Sequence, residues 1–206
     1  MNYKTVPIAL VFLFFSCKIN KHEDVSSRLQ DAKKNIKNFQ SQELIHWKSE
    51  RDSILQLEDL NKNKNDITFR ISEEFDDNRT GIVFIFSQNK DHWTGKYLTY
   101  GMSRPIVLLG KYNIPDPKSG WKAFIDKLLN LGIVEMPDYS TLEDYQTGTD
   151  ENISFFEIAD KENYRYYNYL SPRSFSNKEA KNIVKILDLI YIEFGISYNE
   201  ISTRKY

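Results

Sequence analysis

Between residues 67 and 109 apolar and polar positions alternate in short runs, a rhythm that predicts strands. Ile67, Phe69 and Ile71 alternate with Thr68, Arg70 and Ser72, which suits a half-buried strand. IVFIF at 82–86 is apolar on both faces and belongs at the centre of a sheet. WTGKYLTY at 93–100 and PIVLL at 105–109 complete four strands, and turn sequences at 76–81 and 87–92 join the first three as an antiparallel meander. The period then lengthens: Trp121, Phe124, Ile125, Leu128 and Leu129 share a helical face, with Ser119 or Gly120 before it and Gly132 after it. ISFFEI at 153–158 and YRYYNY at 164–169 flank the turn DKEN at 160–163 and predict two more strands. A capping box, Ser176-Asn177-Lys178-Glu179, opens a final helix carrying Ala180, Ile183, Leu187, Ile190 and Phe194, and Gly195 stops it. Upstream, residues 26–60 hold sparse apolar positions such as Leu29, Ile36, Leu44 and Trp47, which predict one or two helices with a thin apolar face. The order predicts a single α+β domain over 26–206, a mainly antiparallel sheet of about six strands with helices packed on it.

The first twenty residues follow a different rule. Lys4 precedes a ten-residue apolar run, Val6–Phe15. A bilayer-spanning helix needs about 20 apolar residues, so this run has the length of a signal-peptide core. Ser16-Cys17 follows, a small residue and then the single cysteine of the chain. The arrangement resembles the lipobox of bacterial lipoproteins, of the looser Bacteroidetes-like kind, with Phe14 where Leu is commonest. The resemblance implies that residues 1–16 are a signal peptide and that Cys17 carries lipid. It further implies that residues 17–25 form a tether and that the membrane is a partner through that lipid. Lys18, in place of Asp, implies the outer membrane of a bacterial cell envelope. Two acyl chains anchor stably, because each buried methylene contributes about 0.8 kcal/mol.

Composition narrows the function. Lys and Arg total 28 against 29 Asp and Glu, a net charge of -1, so no strong field draws in nucleic acid and none is expected as a partner. One cysteine excludes an intramolecular disulfide and a CxxC redox pair. No phosphate-binding glycine loop, nucleophile elbow or HExxH spacing occurs, so no cofactor or metal is expected and no catalytic residue is assigned. His92, beside Asp91, reads as a turn histidine, and His22 and His46 lie in the tether and the helical region. Carboxylates cluster at Glu73, Glu74, Asp76 and Asp77, and again at Asp138, Glu143, Asp144, Asp150 and Glu151. Paired acids run glycoside hydrolysis only at the right separation in space.

The remaining cluster is Tyr164–Tyr169. In a strand, Tyr164 and Tyr166 face one way while Arg165, Tyr167 and Tyr169 face the other. A helix over the second set makes it core; a bare set would stack on a sugar ring or anchor a protein partner. The expectation is a membrane-anchored envelope lipoprotein whose domain binds a protein or glycan without catalysis. The alternatives are an immunity or inhibitor protein against a secreted toxin, and an envelope hydrolase using carboxylates.

Overall fold

The alternation at 67–71 continues to Phe75, and the resulting strand β1 (Ile67–Phe75) lies near the middle of the sheet. A computed structural model describes residues 21–35, 42–77, 79–143, 145 and 152–197. β2 (Thr80–Asn89), β3 (His92–Gly101) and β4 (Val107–Ile114) follow as a meander. β5 (Ile153–Asp160) returns to pair with the other edge of β1, and β6 (Tyr164–Leu170) pairs outside it. All neighbours are antiparallel in one six-stranded sheet, ordered β4-β3-β2-β1-β5-β6. With helices α1 (Lys21–Asn35), α2 (Gln42–Ile54), α3 (Trp121–Asn130) and α4 (Lys178–Phe194), the fold is α+β, as the patterning predicts.

One face of the sheet carries the main core. Phe69, Ile71, Phe84, Phe86 and Phe156 point into it, against Leu29 of α1, Phe124 and Leu128 of α3, and Ile183 and Leu187 of α4. Helix α4 is capped by Asn177, whose side chain accepts the Ala180 N–H at 2.9 Å, one residue later than the capping-box pattern suggests. Gly195, at φ 64°, closes it in the left-handed conformation that glycine adopts without strain.

Helix α1 moves a boundary. It starts at Lys21 and buries Val25, Leu29 and Ala32, spaced four and three apart, against the sheet. The stretch read as a tether over 17–25 is therefore helical from Lys21 onward. Cys17 and the residues read as a signal peptide lie outside the described residues.

The tyrosine strand has no bare face. Arg165, Tyr167 and Tyr169 are all buried, so of the two alternatives the core one holds and the surface for sugars or proteins is not there. The segment after α3 covers them and takes their donors on backbone carbonyls: Tyr167 donates to Ile133 at 2.7 Å, Tyr169 to Pro137 at 2.8 Å, and Arg165 to Met136. Tyr167 also stacks on Phe156, with centroids 4.9 Å apart. The Tyr167 and Tyr169 hydroxyls and one Arg165 nitrogen thus meet acceptors in an irregular segment that needed donors for its own carbonyls.

Candidate functional site

The second face of the sheet is mixed: Val83, Ile85, Leu98 and Tyr100 form a smaller apolar cluster with Leu55, and beside it a charged layer lies under α2. Lys48, Arg51 and Asp52 recur at three- and four-residue spacing, so they share one side of α2. That side meets Arg70, Ser72 and Glu74 of β1, which alternate onto one side of the strand, and Glu157, which lies opposite Arg70 on β5. Sequence alternation alone marks β1 as half-buried, yet all nine of its residues are buried. The difference is this charged layer: α2 buries polar groups by pairing them with its own.

The pairing is dense. Arg51, fully buried, donates to Ser72 Oγ at 3.0 Å, to Glu74 Oε1 at 3.1 Å and to Asp52 Oδ1 at 2.8 Å. Glu74 also accepts Tyr100 OH at 2.6 Å and Trp47 Nε1 at 2.7 Å. Lys48 Nζ lies 2.8 Å from Asp52 Oδ2 and 2.9 Å from Glu157 Oε1. Arg70 Nη1 approaches the same two carboxylates at 3.2 and 3.3 Å, and its Nη2 donates to the Glu58 carbonyl. Tyr164 completes Glu157 with a donated bond of 2.8 Å. Lys48, Arg51 and Arg70 therefore balance Asp52, Glu74 and Glu157. Burial alone would raise the Asp52 carboxyl; the charges of Arg51 and Lys48 outweigh it and hold the group below its ordinary value. Burial and the Glu74 charge push the Tyr100 hydroxyl far up, which keeps it a donor.

Two cavities open beside this layer. The first, about 390 Å3, lies between the chain after α2 and strands β1 to β4. The second, about 490 Å3, lies between α2 and the strands β5 and β6 and receives Asp52, Glu157, Tyr164 and Tyr166. Leu57, Glu58, Leu60 and Arg70 line both. Volumes in this range suit small ligands, and a lining made mostly of polar and charged side chains suits a polar one.

Comparison with family models, curated proteins and solved structures returns no match. The site is therefore read from its own chemistry.

Of the residues that the sequence singles out, the cavities gather few. His92 is exposed at its turn, and His46 lines a third cavity of about 350 Å3 beside Trp47, Met102 and Arg104. Glu73 and Glu74 are not turn residues but neighbours in β1 facing opposite sides: Glu74 joins the charged layer and Glu73 enters the apolar core. Asp76, Asp77 and Glu143 are exposed. Asp138 is buried and accepts the backbone and side-chain N–H of Asn168, each at 2.9 Å. Asp144, Asp150 and Glu151 lie outside the described residues. Lys48, Arg51, Asp52 and Glu157 were not singled out. Their signal is charge at helical spacing over 48–52 and at strand spacing over 70–74, two patterns that gain meaning only once the two elements are opposed. Among the described residues no group of three or more His, Cys, Asp or Glu is placed to hold a metal, and no helix is long and apolar enough to cross a membrane.

Proposed function

We propose that the chain is a lipid-anchored lipoprotein of a bacterial envelope, whose domain binds a small polar ligand in the cavities beside α2 without transforming it. The observation that carries the binding reading is Arg70, buried at the wall shared by both cavities and held by Asp52 and Glu157. What supports the anchor is the order of charge, short apolar run and Ser16-Cys17. Two measurements on the full chain test the reading. The wild type is expected to incorporate a palmitate analogue and to sediment with membranes, and Cys17→Ala to lose both; a labelled Cys17→Ala sinks the anchor. Native mass spectrometry of chain extracted in mild detergent is expected to show a small-molecule adduct, which Ser87→Trp, filling the first cavity from its wall, removes. Adduct-free wild type, or an adduct retained by the variant, argues against binding there.

One observation favours a hydrolase as the second reading: Asp52 and Glu157 converge on the second cavity. Both contact Lys48 Nζ and Arg70 Nη1, and Asp52 is held below its ordinary value. A general acid needs a raised carboxyl, so this arrangement favours binding over acid–base catalysis.

A further inference from the structure

We infer that the first cavity takes a hydroxylated anion of monosaccharide size, a sugar bearing a carboxylate or a phosphate. The inference deepens the binding reading and rests on it. In the layer under α2 every cation has a carboxylate, whereas Lys96 and Lys111, which line the first cavity, have no carboxylate partner among the described residues. The register places Lys96 opposite Asn113 and Leu98 opposite Lys111, so the two lysines are diagonal neighbours on one face of β3 and β4. Two like charges at such positions repel each other, and an anion between them removes the repulsion.

The rest of the wall fits a polyol. Thr68, Ser87 and Thr94 stand in one row across β1, β2 and β3; Asn63 and Asn65 hold the Thr68 hydroxyl, and Thr94 donates to the Ser87 carbonyl, so the Ser87 and Thr94 hydroxyl oxygens face a ligand as acceptors. The next row runs Arg70, Ile85, Lys96, Asn113, which adds an amide and an apolar floor. Arg70 Nε is buried and has no hydrogen-bond partner, so this wall also holds an unmet donor. Among the described residues Glu58 is the one carboxylate lining the cavity, which leaves the two lysines in excess by one charge. The cavity, at about 390 Å3, has room for a ligand of this size, and its polar row and cationic rim are on adjacent strands, so one molecule reaches both.

The test is calorimetric titration of the full chain with glucuronate, glucose 6-phosphate, inorganic phosphate and neutral glucose, repeated on Lys96→Gln/Lys111→Gln and on Ser87→Trp. Both lysines stand away from the buried ion pairs, so the double variant keeps the fold, which its melting temperature verifies. At least one sugar anion is expected to bind more tightly than glucose and than inorganic phosphate. The lysine double variant is expected to weaken it by at least about tenfold, the loss of one or two charge-assisted bonds. The tighter of the two sugar anions identifies the charged group. If glucose binds as well as the anions, and only Ser87→Trp abolishes it, this inference fails while the binding reading stands. If no probe binds, or the anion binds the double variant equally well, the inference is overturned and Lys111 is left as a guard of the edge strand β4.

Discussion

Tyr167 spends its hydroxyl on the Ile133 carbonyl and its ring on Phe156, so its contribution is to packing. Tyr167→Ala is expected to lower stability by about 3–5 kcal/mol in urea unfolding, as loss of a buried aromatic does, and Tyr167→Phe by about 1 kcal/mol. An alanine variant that unfolds like the wild type would contradict the buried position. Glu73 is the opposite case, a carboxyl in an apolar core with the Tyr191 hydroxyl 2.7 Å away. Burial pushes it from an ordinary 4.5 up to about 7, against the Tyr191 bond and the Arg173 charge. Below pH 4.5 it is protonated folded or unfolded; between 4.5 and 7 only the folded state keeps the proton. Its contribution to stability is therefore full below 4.5 and lost as pH rises through 7, a change of roughly 3 kcal/mol. Glu73→Gln keeps the acceptor for Tyr191 and should flatten this decline, leaving a smaller slope from Asp138, which burial also raises. Denaturation midpoints measured at about pH 5 and about pH 8 check this, and an unchanged difference between them refutes it. At this scale the sequence showed which side chains share a face of a strand. It did not show what covers that face, which is why Arg165, Tyr167 and Tyr169 stayed open to both a core and a surface reading until their cover was seen.

Helices α2 and α4 show what makes an element legible. α4 repeats Ile183, Leu187, Ile190 and Phe194 with a cap at each end, and a helical period in apolar residues is readable without a partner. The side of α2 that meets the sheet carries Arg51, buried, with Lys48 and Asp52, half-buried, which any reading by hydropathy assigns to solvent. Such a helix is held by matched charges, and removal of one partner strands the others in a dry site. Arg51→Ala is expected to destabilise the domain by about 3–5 kcal/mol, since Glu74 then remains buried without its cation. Arg51→Met combined with Glu74→Gln should recover part of the loss, because it removes charge from both sides together. Chemical denaturation of the single and double variants decides this: a purely additive double variant would mean that the two residues do not act as a pair.

For the whole molecule, the class of fold followed from local rhythm, because antiparallel hairpins and amphipathic helices are short-range patterns. The strand order did not, since it depends on the pairing of Ile67 with Asp160, partners far apart in the chain. The same long pairing brings Glu157 to Arg70, so the candidate site was hidden for the same reason as the topology. The result is a two-sided sheet: one side is sealed by apolar contact with α1, α3 and α4, and the other is partly roofed by α2 with space beside it.

The position of β1 also sets an order in time. During synthesis the meander can close once Ile114 has been made, because each pairing within it is between successive strands. The second edge of β1 must then wait for Ile153–Asp160, and the core must wait longer for α4. Through that interval the nascent chain carries an open strand edge beside uncovered phenylalanines, the state in which strands pair with the wrong neighbour. Folding of this domain is therefore committed late, by the last third of the chain, and an arrest before β5 leaves a species prone to aggregate instead of a smaller stable domain.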